Sequence, residues 1–334
     1  MNNQQLYFDS FGQPARVIQM KDKQLTSLNE GEILVEMLYA PINPSDLIPI
    51  TGAYAHRTPL PSLIGYEGVG LVRRVHNESD KHLLNKRVLP LRGEGTWQKF
   101  VVTQADYAVM VPEEIDSITA SQAYINPVTA WVLCVEEFKL KKDDFLIINA
   151  ANSSIGKSFI QLAKILGFKL IGVVRNEKAR KELEKLGLFF VVNSAKEDIK
   201  DTVTKITNKK GVQAAVDSIG GQQGNILAEC VTAGGKFRTI GLLSGEQVDW
   251  QFLTTQLDIS VEIFHLRHWL DRITNAKWQQ TFTEIFYYLK SGLWHLPRPS
   301  AFYSLIQFKQ AIADFEQSGK NGKVLFDFCD NIKA

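Results

Sequence analysis

Apolar residues along this chain change their spacing twice. From residue 1 to about 110 they form short runs broken by Gly, Pro and Asn: Glu32 to Tyr39, Glu67 to Val75, Arg87 to Leu91 and Trp97 to Val102. Runs of this length separated by turn chemistry predict the strands of a compact β domain. Between the first two lies an irregular connection with five prolines from Ala40 to Gly65. The prolines stiffen it, and stiff loops on a β scaffold commonly carry binding residues. Within it, Asn43-Pro44-Ser45-Asp46 reads as a helix start with Ser45 or Asp46 as the cap.

From about Asn126 the pattern becomes alternating helix and strand. The segment from Phe145 to Arg175 contains an apolar run too short for a helix and a small-residue turn. A helix with Ile155, Phe159, Leu162 and Leu166 and a second apolar run follow. That order predicts strand, turn, helix, parallel strand. Further strands are expected at Phe189 to Asn193, Gln213 to Asp217, Gly235 to Ile240 and Ile259 to Leu266, with helices between. The fold class is therefore α/β with a doubly wound parallel sheet, because right-handed crossovers put helices on both faces. After about Arg267 the stripes Trp278, Phe282, Ile285, Phe286, Leu289 and Phe308, Ile312, Phe315 have helical spacing and read as core, before a last strand from Lys323 to Phe328.

The turn in the organising segment is Ala151-Asn152-Ser153-Ser154-Ile155-Gly156. A dinucleotide site would place G-x-G-x-x-G there, so only the last glycine, the one that lets helix and strand pack closely, is kept. Small residues still leave room for a pyrophosphate at the helix amides, and serine hydroxyls can donate to it. The alternative for the same residues is a plain strand-to-helix corner. At the end of the second strand stands Arg175, where an NAD site usually has an acid for the ribose hydroxyls. A guanidinium there suits a 2'-phosphate and points to NADP over NAD. The alternative is a solvated arginine ahead of a helix carrying Lys178, Arg180, Lys181 and Lys185.

Composition narrows the function classes. A chain of 334 residues has room for two domains, and a hydrophobic content of 45% with a net charge of +2 describes a soluble globular protein without a basic block for nucleic acid or membrane. Cys134, Cys230 and Cys329 lie far apart, which suits reduced thiols in the cytoplasm and cannot make a four-cysteine zinc site. No apolar run reaches a membrane span, and no targeting segment is evident.

With these pieces in order, the chain resembles the medium-chain dehydrogenase/reductase superfamily over nearly its full length. The resemblance implies a GroES-like β domain, residues 1–125 and 267–334, interrupted by a Rossmann domain, residues 126–266. Zinc members of that family place a ligand cysteine and a G-H-E histidine where this chain has Asn43 and Gly65-Tyr66-Glu67. No metal is expected. The segments INPSDLIPITGAY, NPVTAW, NAANSSIG, VVRN and FHLRHW are most similar to the trans-2-enoyl-thioester reductases of the zinc-free branch.

That similarity implies NADPH as cofactor and Tyr54 as proton donor. It implies cofactor contacts at Asn126, Thr129, Asn152, Ser153, Ser154, Ile155, Arg175, Ile240, Gly241, Leu242, Leu243, Phe264, His265, Leu266 and Lys323. Ser154 stands where the branch commonly has glycine, and Glu177 where a second cation often meets the 2'-phosphate.

Asn43 and Trp269 are candidate substrate-pocket residues. A phenol stays protonated at neutral pH and can give its proton to an enolate carbon; the bland reading of Tyr54 is a ring packed under the prolines. Asp217 is read as a cap for its turn, and His265 with His268 as lacking a third metal ligand. The last sheet strand could pair with its mate in a homodimer. The leading expectation is an NADPH-dependent 2-enoyl-thioester reductase. An NADPH:quinone or enone reductase and a non-enzymatic NADPH-binding protein are the rivals.

Overall fold

A computed structural model describes residues 2–317 and 322–329. The chain forms two compact units, residues 126–273 with 293–295 and residues 1–125 with 274–292 and 296–334. The second boundary thus falls after Ile273 rather than after Leu266. The short helix Leu266–Leu270 explains the difference: Trp269 is buried and its indole N–H donates to Glu136 Oε2 at 2.8 Å, tying the helix to the nucleotide-fold unit.

That unit is a six-stranded parallel sheet of β1 (Phe145–Ile148), β2 (Lys169–Val174), β3 (Phe190–Asn193), β4 (Val212–Asp217), β5 (Val231–Thr239) and β6 (Ser260–Ile263). The spatial order is β3-β2-β1-β4-β5-β6, a Rossmann order whose direction reverses between β1 and β4. Strands buried on both faces need continuous apolar runs, and the FLII of β1 and the LIGVV of β2 supply them. Ile147, Ile171, Val173, Val192, Ala215 and Phe237 make the core with Leu227 and Leu253 from the helices. The last strand is shorter than its apolar run predicts. The Phe264 amide still bonds Thr239 O, but His265 already occupies the N-cap of the next helix.

The other unit is built on the strand Glu32–Pro41, the centre of a seven-stranded sheet. It pairs antiparallel with Val69–Val75 on one side, and with Phe100–Gln104 and Val324–Asp327 on the other. Its core gathers Leu6, Ile33, Val35, Met37, Trp97 and Val101 with Ile312 and Phe326. The aromatic stripe of the helix Asn275–Lys290 is core, as its spacing predicts: Trp278, Phe282 and Ile285 are fully buried, with Trp278 and Phe282 ring centroids 4.9 Å apart. Among the described residues no helix is long and apolar enough to cross a membrane.

Candidate functional site

The nucleotide-fold unit presents its polar groups where its strands end. After β1 the chain turns through Ala150, at a φ of +46°, and buried Ala151 into the helix α1 (Ser154–Leu166). Ser153 caps that helix, its Oγ accepting from the Gly156 amide at 3.2 Å. The cap uses an acceptor lone pair and leaves the hydroxyl proton free to donate. The amides of Ser154 and Ile155 lie in the first turn, which has no intrahelical acceptors. Gly156 is required by contact: a Cβ there would lie 2.3 Å from the Ala151 carbonyl oxygen. The surviving glycine of the motif therefore lets α1 sit against β1, as its position in the pattern implies.

At the reversal point, Asn149 of the β1 end and Asp217 of the β4 end are both buried and bonded to each other. Asn149 Oδ1 accepts from the Ser218 amide at 2.7 Å, while Asp217 accepts from the amides of Ile219 and Gly220. Asp217 is therefore a turn-forming acid. The next loop is stitched on by Ile240 N to Asp217 O at 2.8 Å and Leu243 N to Ser218 O at 3.1 Å. The structure thus places Asn152–Ile155, Ile240–Leu243 and Phe264 after the carboxyl ends of the parallel strands β1, β5 and β6, with Leu243 67% exposed.

Arg175 is exposed past the end of β2. Two other cations of this unit are already occupied: Arg180 pairs with Glu184 and Glu197 at 3.0 and 3.1 Å, and Lys157 of α1 with Glu182 at 3.1 Å. Arg175 has no carboxylate partner among the described residues, so its charge is available to an anion. Glu177, the departure from the expected pattern, accepts from Asn193 Nδ2 and pairs with Lys196 at 3.8 Å, which partly offsets its charge. Open amides, a close-packed turn and an unpaired guanidinium fit a phosphorylated dinucleotide.

Of the remaining expected contacts, Asn126 and Thr129 lie on the helix Ile125–Trp131, Thr129 buried, which continues into a π-helical stretch at Val132–Glu137. His265 and Leu266 begin the short helix Leu266–Leu270. A cavity of about 400 Å³ opens there, lined by Glu137, Glu262, Asp271, Phe264, His265 and His268. Its wall carries three carboxylates beside the Arg272 guanidinium and the two histidines. The His265 and His268 rings meet edge to face at 5.2 Å, and among the described residues no group of three His, Cys, Asp or Glu is arranged for a metal.

The β unit holds a different kind of site. Asn43, not Ser45 or Asp46, is the N-cap of the helix Pro44–Leu47, with Pro44 in the first turn and Asp46 reaching back to the Asn43 amide at 2.7 Å. Asp46 Oδ1 also accepts from the Tyr66 amide at 3.0 Å. Asn43 Nδ2 donates to Glu67 Oε1 at 2.8 Å, Glu67 Oε2 accepts from the Ile125 amide, and the Lys323 ammonium completes the cluster on Glu67 Oε1. All four side chains are buried, Glu67 completely. Burial pushes the Asp46 carboxyl up to about 7, against the Asn43 hydrogen bonds and the Lys323 charge that favour its ionised form. Gly65 has a φ of +97°, and a Cβ there would strike Thr96 Oγ1 and Trp97 Cδ1 at 2.4 Å, so the turn into Glu67 needs glycine.

Asn43 and Lys323 were expected on substrate and cofactor; here the polar ends of both are engaged by buried carboxylates of their own unit. Trp269 is likewise buried, on Glu136. This cluster is what sequence reasoning missed, since Lys323 lies 256 positions from Glu67. Tyr54 is half-buried on the loop after the 3₁₀ helix Ile48–Thr51, with the Arg57 guanidinium 4.0 Å from its ring centroid. Cys134 and Cys230 are buried, and burial pushes both thiols up, Cys230 to about 12, so neither serves as a nucleophile.

Comparison with known proteins identifies the family. Residues 29–113 match the alcohol dehydrogenase GroES-like domain and residues 154–285 the zinc-binding dehydrogenase domain. A mitochondrial enoyl-[acyl-carrier-protein] reductase of Dictyostelium discoideum is 31% identical over 95% of this chain and 93% of its own. A Bacillus thuringiensis protein assigned as an NADPH:quinone reductase is 45% identical, with a TM-score of 0.95 over 98% of this chain and 99% of its own. Escherichia coli quinone oxidoreductase, solved in complex with NADPH, is 25% identical, with a TM-score of 0.85 over 97% of this chain and 99% of its own. The chain belongs to the medium-chain dehydrogenase/reductase superfamily and is an NADPH-dependent oxidoreductase.

Proposed function

We propose that this protein uses NADPH to reduce the C2–C3 double bond of a 2-enoyl thioester, with Tyr54 as proton donor and without zinc. The observation that carries the reading is Tyr54 itself, a phenol held partly open to solvent on the loop to which the resemblance to enoyl reductases assigns their donor. Near full-length similarity to a named enoyl reductase supports it.

When bound, NADPH supplies a hydride to the carbon remote from the thioester carbonyl. The chain's own residues do the rest. Amides of Ser154 and Ile155 with the hydroxyls of Ser153 and Ser154 would hold the pyrophosphate, and Arg175 would take the 2'-phosphate. Asn126, Thr129, Asn152, Ile240–Leu243 and Phe264–Leu266 complete the proposed cofactor contacts. Tyr54 delivers its phenolic proton to the α-carbon of the enolate. The exposed edge of β6 pairs with its mate in a homodimer. Buried free thiols at Cys134 and Cys230 suit a reducing compartment, for which the cytoplasm is proposed.

The test is steady-state turnover of crotonyl-CoA with NADPH. Tyr54→Phe is expected to lower kcat by about 10²-fold or more with little change in the KM for NADPH. Turnover unaffected by the substitution removes Tyr54 from its role, and a wild-type protein inactive on enoyl thioesters removes the substrate class. A second reading, NADPH:quinone reduction, is favoured by the 45% identity to the Bacillus thuringiensis protein. It needs no dedicated proton donor, so quinone turnover that survives Tyr54→Phe, with none on enoyl thioesters, selects it.

A further inference from the structure

Resting on the reading of Tyr54 as proton donor, we propose that Arg57 is its positioning residue, a cation held on the ring face that fixes the phenol and stabilises the phenolate left by proton donation. The geometry begins at the stem of the loop. Ile50 is fully buried and its carbonyl accepts from the Gly12 amide at 2.9 Å; Gly52 then turns the chain at a φ of +88°. Ala55 N bonds Gly52 O, and the amides of both Arg57 and Thr58 bond Tyr54 O, each at 3.0 Å. Two overlapping turns therefore bring residue 57 back over residue 54, as i and i+3 meet on a helical turn.

The guanidinium carbon lies 4.0 Å from the ring centroid, well inside the range of cation–π attraction. No carboxylate pairs with Arg57 among the described residues, so its charge is not spent elsewhere. A planar guanidinium can lie on a ring face; an ammonium supplies only the charge.

The chemistry makes this contact unequal between ground and transition states. In the proton step the phenolic O–H bond breaks with its electron pair remaining on oxygen. The enolate's pair forms the new C–H bond at the α-carbon, and water later reprotonates the phenolate. The hydride of the first step comes from NADPH. As negative charge develops on the ring, its attraction to Arg57 rises, and only such differential contacts raise kcat.

The experiment is a double-mutant cycle on the full chain, with crotonyl-CoA and NADPH as substrates and kcat and KM measured separately. Arg57→Met is expected to lower kcat about five- to tenfold in the wild-type background. Arg57→Lys, which keeps the charge without the planar contact, should restore part of it, and Arg57→Met should add nothing to Tyr54→Phe. If Tyr54→Phe is crippling but Arg57→Met leaves kcat unchanged, the proposal fails while the donor reading stands. It fails equally if Arg57→Met costs the same factor in the Tyr54→Phe background, or raises only the KM for crotonyl-CoA, because Arg57 then serves folding or a substrate phosphate. If Tyr54→Phe itself is silent, the donor reading falls and the proposal falls with it.

Discussion

The buried cluster of the β unit and the open edge of the nucleotide-fold unit are both dense in polar groups, yet they use them oppositely. Around Glu67, the amides of Asn43, Tyr66 and Ile125 and the Lys323 ammonium meet carboxylates inside the fold. Beside Ala151 and Arg175, first-turn amides and a guanidinium are left for something outside the chain. The difference teaches which polar residues to read as structure and which as binding. A group whose partners are internal and buried holds the fold, whereas one with donors to spare at the surface is available to a ligand.

The sharpest way to break this contrast is at Lys323. If its ammonium serves Glu67, Lys323→Met leaves a buried carboxylate unpaired and should lower stability by about 3–5 kcal/mol, read by denaturant unfolding. A variant of normal stability whose only defect is weak NADPH binding would move Lys323 to the cofactor.

The next effect is a pH dependence from the same cluster. The folded-state pKa of Asp46 is raised to about 7, so the folded chain holds a proton that the unfolded chain releases near pH 4. The stability associated with that proton is present below about pH 4 and is lost as pH rises through about 7. Unfolding midpoints should fall across that window for the wild type, and the slope should flatten in Asp46→Asn.

At the open edge, Arg175→Ala should raise the KM for NADPH about 10- to 100-fold while leaving that for NADH unchanged, as expected for a lost charge-assisted contact to one phosphate. Equal effects on both cofactors would deny it the 2'-phosphate. The smallest effect is expected at Arg180, whose charge is already met by Glu184 and Glu197. Arg180→Ala should change stability by less than about 1 kcal/mol and nucleotide preference not at all.

Where the reading depended on local periodicity, the sequence carried the fold well. The short run FLII, the turn ending in Gly156 and the aromatic spacing of Trp278, Phe282 and Ile285 each report a neighbour a few residues away. Apolarity overran the last strand because Phe264 is buried whether or not it continues the ladder, and His265 turns the chain out of it. The helix start near Asn43 was legible, but its cap was not: Asp46 turned out to be the residue that reaches back. The charged cluster was invisible to any window, since its lysine and glutamate are joined only by the path of the sheet. For the candidate site, Arg175 stood out by its place after a strand, and Arg57 did not, because its partner is a ring face.

The pairing of Val324–Asp327 with Glu32–Pro41 has a consequence for biosynthesis. During translation the segment 126–273 leaves the ribosome with all six of its parallel strands and can close first, whereas the unit begun at the amino terminus must wait for its last strand. Until then Glu67 has no ammonium to meet, and the half-made sheet exposes the flank of Glu32–Pro41 that Val324–Asp327 will cover. Nascent chains stalled before Val324 are accordingly the species most in need of a chaperone.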